Sequence, residues 1–132
     1  MTQSIAIMIL GSATGNNSSH TALHFSEAVL AKGYRIERLF FYHEAAVIGS
    51  DLSISAQDEQ NLPSDWQALI SEYQLDAVVC IASGLKRGII NASEAKRYNK
   101  SQHSLHHALE LSGLGQWIDA VNHADKYIVF GN

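Results

Sequence analysis

Few residues in this chain are equipped for chemistry, and the first is a single thiol. Cys80 is the only cysteine among 132 residues, and it falls near the end of Ala77-Val78-Val79-Cys80-Ile81, an apolar run rich in strand-forming side chains. Small residues follow at once, Ala82-Ser83-Gly84, and leave room for another group to approach the sulfur. Lys86 and Arg87 come next. A nearby cation favours the thiolate, and the thiolate is the nucleophile. The same residues admit a plainer reading, because unpaired cysteines are among the most buried residues and Val-Val-Cys-Ile makes a good core strand. Spacing alone leaves both readings open.

Three other clusters carry weaker signals. Gly11-Ser12-Ala13-Thr14-Gly15-Asn16-Asn17-Ser18-Ser19 joins an apolar run to a helical pattern, so its amides and hydroxyls can cradle a phosphate. It has neither GxGxxG nor GxxxxGK[ST], and a capped structural turn is the simpler account. His103, His106 and His107 invite a metal reading, since histidines three or four apart share a helix face. No further ligand accompanies them, which favours surface or interface histidines. Asp58 and Glu59 most simply solvate the loop that holds them, and Trp66 and Trp117 read as core or interface anchors.

The elements that must position these groups alternate along the chain. Ser4 to Leu10 is a continuous apolar run closed by Gly11, as expected of a strand buried on both faces. A helix follows, capped by Ser18 or Ser19 and stopped at Gly33. Arg35 to Tyr42 reads as the second strand, and His43 to Ser64 as a long, mostly polar loop that covers the sulfur or packs against a partner. Ser64 caps a helix bearing Trp66, Leu69, Ile70 and Tyr73, and Asp76 to Ile81 is the third strand. Ala82 to Gly88 reads as a loop, Ser93 to Arg97 as a short helix, and Ala108 to Leu111 as a short strand. Leu114 to Ala124 is a helix with Trp117, Ile118 and Val121 inward, and Tyr127 to Phe130 is the last strand. The expectation is α/β: a three-layer α/β/α sandwich around a mostly parallel sheet of about five strands, as one domain over 1–132. In such a sheet, reactive groups collect outside the carboxyl ends of the strands. The Gly11 to Ser19 loop, the His43 to Ser64 loop and Cys80 all reach that edge.

Composition narrows the function classes. Nine Lys and Arg against 13 Asp and Glu leave a net charge of −4, which disfavours broad nucleic-acid binding. One cysteine excludes an intrachain disulfide, a four-cysteine zinc site and a CxxC redox pair. The N-terminal apolar run lacks a basic region and is too short for a bilayer, so the expected setting is the cytoplasm, away from any membrane.

Four segments, taken in order, bring a family into view. They are strand-GxxxG-helix, Leu39-Phe40-Phe41-Tyr42-His43-Glu44, Val79-Cys80-Ile81-Ala82-Ser83-Gly84-Leu85-Lys86-Arg87-Gly88 and Leu111-Ser112-Gly113-Leu114-Gly115. Together they resemble the DsrE/TusD-type sulfurtransferases nearly end to end. The resemblance implies a sulfur-relay subunit that carries sulfane sulfur as a persulfide on Cys80, with no metal or organic cofactor. Lys86 and Arg87 are then candidates to stabilise the persulfide anion. It implies TusB-like and TusC-like subunits in a heterohexamer, a TusA-like donor and a TusE-like acceptor. The route implied leads toward 2-thiouridine at tRNA wobble positions, with dissimilatory sulfur oxidation as the alternative pathway. A flavodoxin-like phosphate binder with a core cysteine remains the competing class.

Overall fold

The structure, a computed structural model, describes residues 3–14 and 17–131. Strands and helices alternate: β1 (Ser4–Ile9), α1 (Ser18–Ala31), β2 (Arg35–Phe41), a 3-10 helix (His43–Gly49), α2 (Leu62–Tyr73) and β3 (Ala77–Cys80). Then come α3 (Ile81–Lys86), α4 (Ala92–Arg97), β4 (Glu110–Ser112), α5 (Gly115–His123) and β5 (Lys126–Phe130). All four strand pairings are parallel, in the order β4-β3-β2-β1-β5. The expected three-layer α/β/α sandwich is therefore present, with a sheet that is parallel throughout.

That order decides which face each helix covers. The steps from β1 through β4 all move the same way across the sheet, and right-handed crossovers put α1, α2, α3 and α4 on one face. The last step returns past three strands to pair β5 with β1, so α5 covers the opposite face. Side chains sort by the same alternation. Ile7, Ile9, Leu39, Phe41, Ala77 and Val79 face the larger helical layer, where they meet Leu23, Trp66 and Ile70. Met8, Phe40, Val78 and Cys80 face α5 in a second, smaller cluster.

Local chemistry explains the helix ends. α1 stops in a Schellman arrangement: Gly33 N–H donates to Leu30 O and Tyr34 N–H to Val29 O, with Gly33 at φ 87°. Its start differs from expectation. Asn17 precedes the first turn, and the Ser19 hydroxyl donates to the Gly11 carbonyl instead of capping. α2 begins before Ser64, because Asn61 Oδ1 accepts the Ser64 N–H at 3.1 Å and Pro63 occupies the first turn. Asn91 caps α4 in the same way, through the Glu94 N–H at 2.9 Å.

Three further expectations are corrected. The segment after Cys80 is not a loop: α3 starts at Ile81 and contains Gly84. The His43 to Ser64 stretch is not one polar loop either, since its first third forms the 3-10 helix and buries Ala45, Ala46 and Ile48 in the larger core. Finally, Ile118 on α5 points outward at 58% exposure, and only Ala120 of that helix is buried. Besides Trp117 and Ala120, Arg38 on β2 ties α5 to the sheet by donating to Gln116 O and Asp119, while its two other bonds reach Asp76, just before β3. The Asp76 carboxylate, aided by Asp119 and opposed by burial, holds this guanidinium above the ordinary arginine range. No helix among the described residues is long and apolar enough to cross a membrane.

Candidate functional site

Cys80 ends β3, a strand buried at all four positions, and is itself 3% exposed. Its Cα partner across the ladder is Ser112, the last residue of β4. The chain leaves β3 into α3 on one face of the sheet and leaves β4 into α5 on the other. Two adjacent parallel strands whose following helices part to opposite faces form a topological switch point, the place where such sheets open a crevice. The lone thiol thus stands at the sheet position where α/β proteins place their reactive groups.

The backbone turns sharply there. Cys80 has φ −57° and ψ 123° and occupies the position before the first turn of α3, with no hydrogen bond from its side chain to that turn. Alternation aims its sulfur toward α5, beside Met8, Phe40 and Val78. The half-buried Leu10, Tyr42 and Trp117 close the rim of this cluster. The Phe40 ring lies 6.1 Å from that of Tyr42 and 6.4 Å from that of Trp117.

A clamp holds the neighbouring segment against α3. Beyond β2, His43 adopts a left-handed backbone at φ 52°, a conformation that costs free energy in a side-chain-bearing residue and gathers at functional sites. Its N–H donates to Ser83 Oγ at 2.9 Å, and its ring stacks on Tyr42 at 3.9 Å. Arg87 at the far end of α3 donates from Nη1 to Ser83 O at 3.0 Å. Its Nη2 and Nε reach Glu44 Oε1 at 2.5 and 3.2 Å. Ser83 and Arg87 therefore lock the start of the 3-10 helix onto the helix that begins at Cys80.

This arrangement divides the basic pair read from the sequence. Arg87 is committed to Glu44 and Ser83, whereas Lys86 is exposed and lines a groove that does not include Cys80. A rise of about 1.5 Å per residue puts the Lys86 Cα roughly 9 Å along the α3 axis from Cys80. Gly84 between them is required by packing: a Cβ there would meet Ile89 O at 2.8 Å and Leu111 Cδ2 at 3.1 Å. Ser112, His43 and Trp117 were not singled out as site residues by spacing, although His43 and Ser112 lie within the motifs that carry the resemblance. The usable signal was a histidine directly after a strand, since His is enriched in the left-handed region.

The remaining clusters are otherwise engaged. Ser12 Oγ donates to the Thr14 carbonyl and Ser19 Oγ to the Gly11 carbonyl, so these hydroxyls serve the loop's own turn. Gly15 and Asn16 lie outside the described residues. His103, His106 and His107 share no helix face, because no helix forms there. His106 Nδ1 accepts the Ala108 N–H at 3.1 Å, and its ring stacks on His107 at 4.2 Å. Burial, and secondarily His107, push the His106 pKa below the usual imidazole value, against an opposing pull from Asp51. No three His, Cys, Asp or Glu among the described residues come together closely enough to hold a metal ion.

A sheet ordered in this way, with a lone cysteine at its switch point, defines a class that comparison with known proteins identifies. Residues 3–130 match the model of the DsrE/DsrF-like family, and the chain belongs to that family. It is 47% identical over 114 residues to a protein of Pseudomonas aeruginosa named as a homolog of sulfurtransferase TusD, covering 86% of this chain and 87% of that one. It is 38% identical over 117 residues to a DsrE protein of Allochromatium vinosum, covering 89% and 90%. Sulfurtransferase TusD of an Enterobacter species is 36% identical over 125 residues, covering 95% and 98%. The crystal structure of the ychN protein from E. coli shares the fold, with a TM-score of 0.75 at 19% identity over 97% of this chain and 99% of that one.

Proposed function

We propose that this protein is a sulfurtransferase that carries sulfane sulfur on Cys80 and delivers it to a cysteine of another protein. The observation that carries the reading is the placement of the only cysteine at the switch point between β3 and β4, in a chain whose relatives bear the name sulfurtransferase. In the first step the Cys80 thiolate attacks the outer sulfur of a donor persulfide. A new S–S bond forms at Cys80, the donor's S–S bond breaks, and the donor leaves as a thiolate. In the second step an acceptor thiolate attacks that outer sulfur and Cys80 is released as thiolate. Both steps are exchanges at sulfur whose electrons balance without an oxidant, a reductant, a metal or an organic cofactor. Because the chain has no second cysteine, donor and acceptor thiols belong to other proteins.

Access is then from the α5 side, where the half-buried Tyr42 and Trp117 pack against the cluster that holds Cys80. On this reading Arg87 acts through its clamp on α3, and Lys86, which lines a groove apart from Cys80, is left without a part in holding the persulfide anion. A TusA-like donor, a TusE-like acceptor and a heterohexamer with TusB-like and TusC-like chains in the cytoplasm complete the proposal, directed toward 2-thiouridine at tRNA wobble positions. Sulfur oxidation, the alternative pathway implied by the resemblance, would use the same exchange chemistry. Incubation with a persulfide donor followed by intact-mass spectrometry tests the reading. The wild-type chain gains one sulfur atom and Cys80→Ser gains none; no gain by the wild type, or an equal gain by the variant, refutes it.

A further inference from the structure

Charge is distributed unevenly along this acidic chain. Residues 77–109 contain five basic residues, Lys86, Arg87, Lys96, Arg97 and Lys100, against one acid, Glu94. The rest of the chain sets four basic residues against twelve acids. Folding sharpens the contrast, because Glu94 is turned inward at 8% exposure while Lys86, Lys96 and Lys100 stay exposed. Arg87 is paired with Glu44 and Arg97 lies 3.9 Å from Glu94. Lys86, Lys96 and Lys100 form no ion pair among the described residues.

Two of these lysines border a groove of about 740 Å³, a size typical of ligand sites. Leu85, Ile90 and the ring of Tyr98 supply an apolar lining, Lys86 and Lys100 the charge, and Gln102 a further polar group. The groove has a built backbone. α4 ends in a Schellman turn in which Asn99 takes φ 57° and Lys100 N–H donates to Ala95 O at 2.8 Å, fixing Tyr98 and Lys100 on either side of Asn99.

We propose that this groove docks an acidic, extended segment of a partner protein, laying an apolar side chain on Leu85, Ile90 and Tyr98 and carboxylates toward Lys86 and Lys100. Charge complementarity selects that occupant. A nucleic acid would need many phosphate contacts, yet only two lysines border the groove and the rest of the chain repels a long polyanion. A short acidic segment meets the lysines without crossing the acidic surface. The inference goes beyond sulfur transfer and does not depend on Cys80 being a carrier.

The test is an NMR titration of the full-length, 15N-labelled chain with the hexapeptide Glu-Leu-Glu-Glu-Leu-Glu, blocked at both ends. The same peptide with Gln for every Glu, and a six-nucleotide oligouridylate, serve as comparators. Amide shifts are expected within residues 85–102 and to weaken several-fold between about 50 and 200 mM salt, as screening shortens the reach of the lysines. Lys100→Glu, an exposed substitution, is expected to weaken binding about fivefold or more, and Lys32→Glu on the distant end of α1 less than about twofold. Absence of shifts in the groove, equal binding of the glutamine peptide, or a stronger groove response to the oligonucleotide would each overturn the proposal.

Discussion

Cys80 and Ser112 face each other across the ladder as the last residues of β3 and β4, and the chain departs from them to opposite faces of the sheet. This relationship does more to define the site than either residue alone. It leaves only one helix, α5, over the side toward which Cys80 points.

The cover over that side is testable first. Trp117 contributes a half-buried indole to the Cys80 cluster, edge-on to Tyr127 at 6.2 Å. Trp117→Ala is expected to raise the alkylation rate of Cys80 in the folded chain several-fold while lowering stability by about 2–3 kcal/mol, less than full burial would cost. Iodoacetamide kinetics below the unfolding transition check this. An unchanged rate would mean that the thiol is reached from elsewhere.

The clamp gives a second prediction. Ser83→Ala removes the acceptor for the His43 N–H and is expected to cost about 1–2 kcal/mol in urea unfolding, the range for a partly buried donor left unpaired. Arg87→Lys should fail to rescue Arg87→Ala in sulfur-loading rate, because an ammonium cannot reproduce the fork that spans Glu44 and the Ser83 carbonyl. Stability is expected to change by less than about 1 kcal/mol, since the Glu44 side chain is 63% exposed.

Gly84 allows the third. A methyl group there would press on Ile89 O at 2.8 Å, a backbone atom of the residue whose N–H donates to Gly84 O in the turn after α3. Gly84→Ala is expected to destabilise the fold by about 1–3 kcal/mol despite the higher helix propensity of alanine, visible as a lower denaturation midpoint. A gain in stability would show that α3 packs less closely than described.

His106 supplies a pH dependence. Its folded pKa lies below the unfolded value of about 6.5, chiefly through burial, so the unfolded chain binds the proton more readily. The associated stability is present above pH about 6.5 and is lost as pH falls through the folded value. His123 contributes with the opposite sign, because the Asp119 carbonyl and carboxylate raise its pKa. The two are separated by His106→Asn, which is expected to flatten the fall in melting temperature below pH about 6.5. A steeper fall in that variant would contradict the assignment.

Much of the frame was legible in the sequence. Continuous apolar runs gave β1 and β3, because strands buried on both faces need no alternation, and Gly33 marked the end of α1 through its left-handed turn. α3 was missed because two glycines beside small residues look like a loop, whereas Gly84 is there to let a helix approach Ile89. The 3-10 helix was missed because Ala45 to Ile48 is too short for periodicity to speak. The outward Ile118 reflects a helix that covers mainly β1 and β2, a consequence of strand order. Strand order is also why the switch point at Cys80 and Ser112 was hidden: local pattern identifies strands but not their neighbours. The edge position of Cys80 was readable, and the sulfur-carrying role proposed for it rests on the family motifs.

Sulfur carriage by Cys80 is measured by loading the full-length chain from a persulfide donor and locating the added sulfur by mass spectrometry of the intact and digested protein. One sulfur atom is expected on Cys80, removed again by an acceptor thiol and absent from Cys80→Ser. A wild-type chain that stays unmodified while its thiol is accessible to alkylation would contradict it.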